Sequence, residues 1–134
     1  MPCSPSSGTT RRTPNTTTFD RGDVVLIGFV FTDESGSKRR PAVVVSSAEY
    51  HRQRDEVIVA AVTSNTRRRQ FGDHVVRDWK AAGVLFPSLV TGILRTVKRE
   101  MLQRRLGRLS AKDVALVDIQ IRRALGFEAT RAKR

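Results

Sequence analysis

Residues 35–47 read SGSKRRPAVVVSS, so Lys38, Arg39 and Arg40 abut Pro41 and three valines follow. Pro41 fixes its own φ and biases Arg40 toward an extended backbone, and the β-branched valines continue that preference. A strand is therefore expected over residues 41–46, with a cation mounted at its entry. Upstream, TDESGS (32–37) is turn chemistry, and DVVLIGFVF (23–31) is a second β-branched and aromatic run. Gly28 within that run signals a bulge or a close approach. Downstream, Ser47 is placed to cap a short helix over residues 48–53, with Glu49 in its first turn. VIVAAVT (57–63) is apolar nearly throughout, the pattern of a strand buried on both faces. Residues 73–76 suit an edge strand, and residues 88–97 and 102–109 complete the strands. Ser110-Ala-Lys-Asp113 is a capping-box variant opening a helix whose apolar positions are Val114, Val117, Ile121 and Leu125, with Gly126 to close it. Many short strands, one terminal helix and no βαβ alternation give a mainly β class, a small and mostly antiparallel barrel.

With 134 residues the chain has room for one domain. Twenty-five Lys and Arg against 13 Asp and Glu leave a formal charge of +12, so an anionic partner is expected. Nucleic acid, an acidic protein and an anionic membrane all satisfy that charge. The apolar runs fall far short of the roughly 20 residues that span a bilayer, which argues against a membrane role. MPCSPSSGTTRRTPNTTT (1–18) has the composition of a disordered tail and no apolar segment of a secretory signal. The domain is expected over 19–127, with a basic C-terminal tail at 128–134. A lone cysteine, Cys3, excludes an intramolecular disulfide and fits a reducing cytoplasm. Two histidines and one cysteine leave no zinc spacing, so no metal or other cofactor is expected.

The cations cluster at 38–40, at 67–69, and at Arg99, Arg104, Arg105 and Arg108, each at an expected turn or strand end. Brought together, they would form a positive groove suited to RNA phosphates. Aromatics are sparse; Phe29, Phe31, Phe71, Trp79 and Phe86 offer one or two stacking faces, most being assigned to the core. Carboxylate pairs, nucleophile elbows, phosphate-binding loops and zinc-protease motifs are all missing. His51 and His74 read as surface residues. An enzyme built on this sequence would work with arginines, hydroxyls and backbone dipoles. RNA cleavage suits that set, because the substrate supplies its own 2′-hydroxyl nucleophile. A guanidinium fork then matches the phosphate oxygens on which charge develops.

RGDVVLIGFVFTDESGSKRRPAVVVSS, DEVIVAAVTSN and the later LGRLS-helix resemble, in that order, the MazF/PemK family of toxin–antitoxin endoribonucleases. The resemblance runs from Asp20 to Phe127. It implies an SH3-like barrel of the CcdB/PemK type with a C-terminal helix, a homodimer, and metal-independent, sequence-selective cleavage of single-stranded RNA to a 2′,3′-cyclic phosphate and a 5′-hydroxyl. It also implies an antitoxin partner whose acidic, flexible tail occupies the groove. Arg40 takes the family's catalytic arginine position and Thr63 its catalytic threonine. Lys38, Arg39, Ser64, Arg67, Arg68 and Arg95 are the expected RNA-contacting residues. SLVTGILRTVKREML (88–102) departs from the pattern: Thr91-Gly-Ile-Leu94 stands where many relatives carry an acidic residue, so no acidic group carries over. Two alternatives share the fold expectation: a CcdB-like toxin acting on DNA gyrase without nuclease activity, and a non-catalytic RNA-binding barrel.

Overall fold

The computed structural model describes residues 18–30 and 37–127, and the expected tails, save Thr18, lie outside that range together with most of the 32–37 turn. Strands β1 (Asp23–Val30), β2 (Ser37–Val44), β3 (Glu56–Thr63), β4 (His74–Val75), β5 (Leu89–Lys98) and β6 (Leu102–Arg108) form one antiparallel sheet in the order β4-β5-β3-β2-β1-β6. Helix α1 (Ala48–Gln53) joins β2 to β3, a 3-10 turn at Arg99–Met101 joins β5 to β6, and α2 (Ala111–Leu125) ends the described chain. The mainly β fold with a C-terminal helix is as expected. The sheet is not closed, however: β4 and β6 remain its two edges. Register shifts in the β1–β6 ladder bend it without bringing those edges together.

Alternation along the central strands feeds two cores, one on each face. Val25, Ile27, Val44, Val57, Val59 and Leu102 pack with Phe19 on one face. Val24, Val43, Ala60, Val62 and Val90 pack on the other with Val117 of α2 and the half-buried Trp79. The continuous apolar run of β3 is thus explained, since its residues supply both clusters. Each fully buried Val, Leu or Ile side chain contributes about 1.5–3 kcal/mol by leaving water.

Both helix caps follow the sequence. Ser47 Oγ accepts from Tyr50 N, and Ser110 Oγ accepts from Asp113 N at 3.1 Å. The second half of the capping box is not made, because the Asp113 carboxylate is spent elsewhere. Gly28 is a close approach rather than a bulge: a Cβ there would lie 2.5 Å from the Gln103 amide nitrogen.

Both histidines are buried, against expectation. His51, the buried residue of α1, has Nδ1 3.0 Å from the Phe19 carbonyl and Nε2 2.5 Å from Ser46 Oγ. A carbonyl only accepts, which assigns the ring proton to Nδ1 and leaves Nε2 to accept from the serine. Burial pushes the His51 pKa down, outweighing the raising effect of the Phe19 hydrogen bond. Neither helical position nor polar neighbours revealed this, because the partners are remote or lie across a turn.

Candidate active site

Strands β2 and β3 pair only from Ala42 to Val44 against Val59 to Ala61. Pro41 has no N–H, and the ladder stops at the next residue, Ala42. Beyond that point β2 stays paired with β1, while β3 stays paired with β5. Continued by two residues, the β2–β3 register would set Arg40 opposite Thr63; instead a cleft of about 450 Å3 opens there. Arg40 and Pro41 line it from β2, and Val62, Thr63 and Ser64 from the end of β3. Leu26, Arg104 and Leu106 line it from β1 and β6, and Gly83 to Phe86 with Ser88 from the connection preceding β5. Leu26 pairs with Pro41 on one side and Arg104 on the other. Two strand spacings therefore separate the arginine-bearing strands, about 10 Å. Arg40 itself pairs with Ile27, the neighbour of Leu26 on β1, and both arginines are exposed.

The connection at 76–88 is fixed in three places. First, Asp113, which is fully buried, accepts from His74 Nε2 at 2.8 Å, from Arg77 N and Asp78 N at 3.1 Å, and from Ser110 Oγ at 3.2 Å. Burial pushes its pKa up, but the His74 and backbone hydrogen bonds outweigh that and hold the carboxyl below its ordinary value. Second, Gly83 adopts φ +89° and lies against β6, where a Cβ would meet the Leu106 carbonyl oxygen at 2.2 Å. Third, Ser88 Oγ donates to the Phe86 carbonyl at 2.7 Å, and Val76 N donates to Ser88 O at 2.9 Å.

Cations define the electrostatics. Arg40 and Arg104 line the cleft, and no carboxylate does. Neither arginine has an ion pair among the described residues. Much of the remaining basic charge is structural. Arg105 and Arg108 both reach the fully buried Asp23, Arg21 pairs with Asp118, and Arg99 donates to the His51 carbonyl. Thr63 Oγ1 accepts from Asn65 N at 3.1 Å, which leaves its own hydrogen available to a ligand. Among the described residues, no group of three or more His, Cys, Asp or Glu is placed to hold a metal ion.

Of the expected site residues, Arg40, Thr63 and Ser64 meet in this cleft. Arg39 is exposed on β2, and Arg67 and Arg68 are exposed on the loop after Ser64; none of the three lines the cleft. Arg95 lies on β5 opposite Val59, also away from it. The Lys38 side chain lies outside the described residues. Sequence reasoning grouped Arg104 with its neighbours but did not single it out. Only the register separates it from Arg105 and Arg108, which neutralise Asp23. Phe86 was assigned with the other aromatics mostly to the core, yet it is exposed in the cleft, and Phe71 is exposed with Arg123 stacked over it at 5.1 Å.

Fold and cleft together define a small, mainly antiparallel β protein whose cleft is lined by hydroxyl side chains and by two arginines that have no ion pair among the described residues. Residues 20–125 match the family model of the PemK-like, MazF-like toxin of type II toxin–antitoxin systems, and the chain belongs to that family. No curated protein shows a significant match to it. Among solved structures, it is similar to the MazE–MazF complex (Form II) from Deinococcus radiodurans, with a TM-score of 0.71 at 21% identity, covering 83% of this chain and 98% of that one. It is also similar to an endoribonuclease in complex with its cognate antitoxin from Mycobacterial species, with a TM-score of 0.64 at 19% identity, covering 80% and 94%. Mycobacterium tuberculosis toxin MazF-mt6 gives 0.63 at 21% identity, covering 78% and 96%. At these identities the likeness is one of fold.

Proposed function

We propose that this chain is the toxin of a type II toxin–antitoxin pair, a metal-independent endoribonuclease that cleaves single-stranded RNA in the cytoplasm and so inhibits translation. The observation that carries the reading is the convergence of Arg40, Thr63 and Arg104 on one cleft that no carboxylate lines. An anion entering it meets two guanidinium groups and a free hydroxyl hydrogen, with no like charge to repel it.

In the reaction, the 2′-oxygen attacks the adjacent phosphorus and the bond from phosphorus to the 5′-oxygen breaks. The products are a 2′,3′-cyclic phosphate and a 5′-hydroxyl. Arg40 offers two parallel N–H groups to the non-bridging oxygens, on which charge accumulates in the pentacovalent state. Arg104 adds a second positive charge, and Thr63 donates to the phosphate to fix its orientation. The cleft contains neither a carboxylate nor a histidine, so the 2′-hydroxyl proton leaves to water. The proton needed by the 5′-oxygen comes from Arg40 or from water held beside it. Thr91, in the segment where relatives carry an acidic group, donates its hydroxyl to the Ala61 carbonyl at 2.8 Å and is committed to the fold.

The exposed arginines at 39, 67 and 68 contribute to attraction of the strand rather than to chemistry. Arg95 joins them in our reading as a contact further along the bound RNA, as does Lys38. The antitoxin fits the same surface: an acidic, flexible tail placed over Arg40 and Arg104 would exclude RNA by occupying its phosphate sites. We further propose that two copies pair as a homodimer.

Incubating purified protein with single-stranded RNA in excess EDTA tests the reading. The wild type is expected to cleave; Arg40→Ala is expected to lose roughly 100- to 1000-fold in rate, the usual cost of one donor to a developing oxyanion. Thr63→Ala is expected to lose less. Intact RNA with the wild type, or DNA gyrase inhibition instead, would overturn the proposal.

A further inference from the structure

Phe86 is 62% exposed and its neighbour Leu85 82% exposed, yet both belong to a connection that the fold holds rigidly. Exposing a phenyl ring to water is unfavourable unless a ligand covers it, and a mobile loop would let it fold away. Here that escape is closed. Asp113 holds Arg77 N and Asp78 N, Gly83 is wedged against Leu106, and Ser88 fixes the Phe86 carbonyl. Pro87 follows, which biases Phe86 toward an extended backbone. The backbone that carries the ring is therefore held beside the cleft that Arg40 and Arg104 line.

Resting on the reading of the cleft as an RNA site, we propose that Phe86 is a stacking platform for the unpaired base adjoining the scissile phosphate. Leu85 flanks it and contacts the edge of the same base. Cations beside an exposed ring match the two halves of a nucleotide, an anionic phosphate and a flat apolar base. A base in a duplex has both faces covered by its neighbours, so the platform engages only a base free to leave its stack. Selectivity for single strands would then arise at the active site itself. The ring ranks bases by stacking strength, leaving hydrogen-bonded readout to other segments.

The test is a cycle between protein and substrate. After the cleavage site in a short RNA is mapped, each nucleotide flanking it is replaced in turn by an abasic ribose, which keeps the 2′-hydroxyl and the phosphate. Phe86→Ala is expected to lose roughly 5- to 150-fold in kcat/KM on intact RNA. On one of the two abasic substrates it is expected to match the wild type. Phe86→Trp is expected to restore activity, and Phe86→Leu, which keeps apolar bulk without a ring, is not. Equal losses on intact and both abasic substrates would overturn the proposal. So would a loss accompanied by a change of oligomeric state in sedimentation, which would make Phe86 an interface residue. Should the wild type cleave no RNA, the cleft reading fails first. Stacking is then decided by anisotropy with a labelled 2′-O-methyl oligonucleotide at low salt, where indistinguishable affinities for wild type and Phe86→Ala would sink it as well.

Discussion

Asp113→Asn tests how the fold holds the cleft. The carboxylate is fully buried and accepts four hydrogen bonds, from His74, Arg77 N, Asp78 N and Ser110 Oγ. Asparagine keeps the shape but offers one acceptor oxygen and turns an NH2 group toward the other partners. With its oxygen toward His74 and Arg77 N, the Asp78 N–H faces a donor and is orphaned, at about 1–3 kcal/mol. The remaining bonds fall from charge-assisted to neutral strength, a loss of about 1 kcal/mol each. Together the variant is expected to be less stable by about 4–6 kcal/mol, a large share of a small domain's total. Urea unfolding at neutral pH measures this as a lower midpoint at unchanged slope.

The pH dependence adds a sign. Because the folded carboxyl sits below its ordinary value, its contribution is present in full above the ordinary carboxylate pKa and is lost as pH falls through the folded value. The gap between wild type and Asp113→Asn is therefore expected to shrink on acidification. A variant within about 0.5 kcal/mol of wild type, the scale of ordinary surface substitutions, would refute the reasoning. So would a gap that fails to shrink as pH falls from the ordinary carboxylate range through the folded value.

Gly83→Val is expected to destabilise by at least about 2 kcal/mol in thermal or urea unfolding, since it forces a β-branched residue to φ +89° and drives Cβ into the Leu106 carbonyl. Asp23→Ala is expected to cost about 2–4 kcal/mol, while Arg105→Ala costs less because Arg108 still pairs with Asp23. In contrast, Arg104→Ala is expected to leave the unfolding midpoint within about 0.5 kcal/mol of wild type while lowering RNA cleavage, since Arg104 has no ion pair among the described residues.

Local signals carried most of the fold. The Ser47 and Ser110 caps, the two-faced β3 and the helix over 111–125 were legible because capping and periodicity act within a few residues. What escaped was long-range. The Asp113 carboxylate looked like a local capping group, but three of its four partners lie 35 to 39 residues away in sequence. His51 and His74 looked solvated for the same reason: Phe19 and Asp113, their distant partners, are invisible to any local pattern. Around the cleft, Pro41 coincides with the end of the β2–β3 ladder, although β2 itself begins at Ser37 rather than at residue 41, while Arg104 could not be told from Arg105. In a strand adjacent residues face opposite ways, and bulges in the β1–β6 ladder reset that alternation at points no composition reveals.

The central claim is that Arg40, mounted where β2 leaves β3, stabilises the transition state of RNA transesterification. Sequencing both ends of the fragments left on a mixed single-stranded RNA pool, in EDTA, tests it most directly. The account predicts 2′,3′-cyclic phosphate and 5′-hydroxyl ends for the wild type, formed roughly 100- to 1000-fold more slowly by a folded Arg40→Ala. Cleavage by Arg40→Ala at the wild-type rate, or 5′-phosphate ends from the wild type, would contradict it.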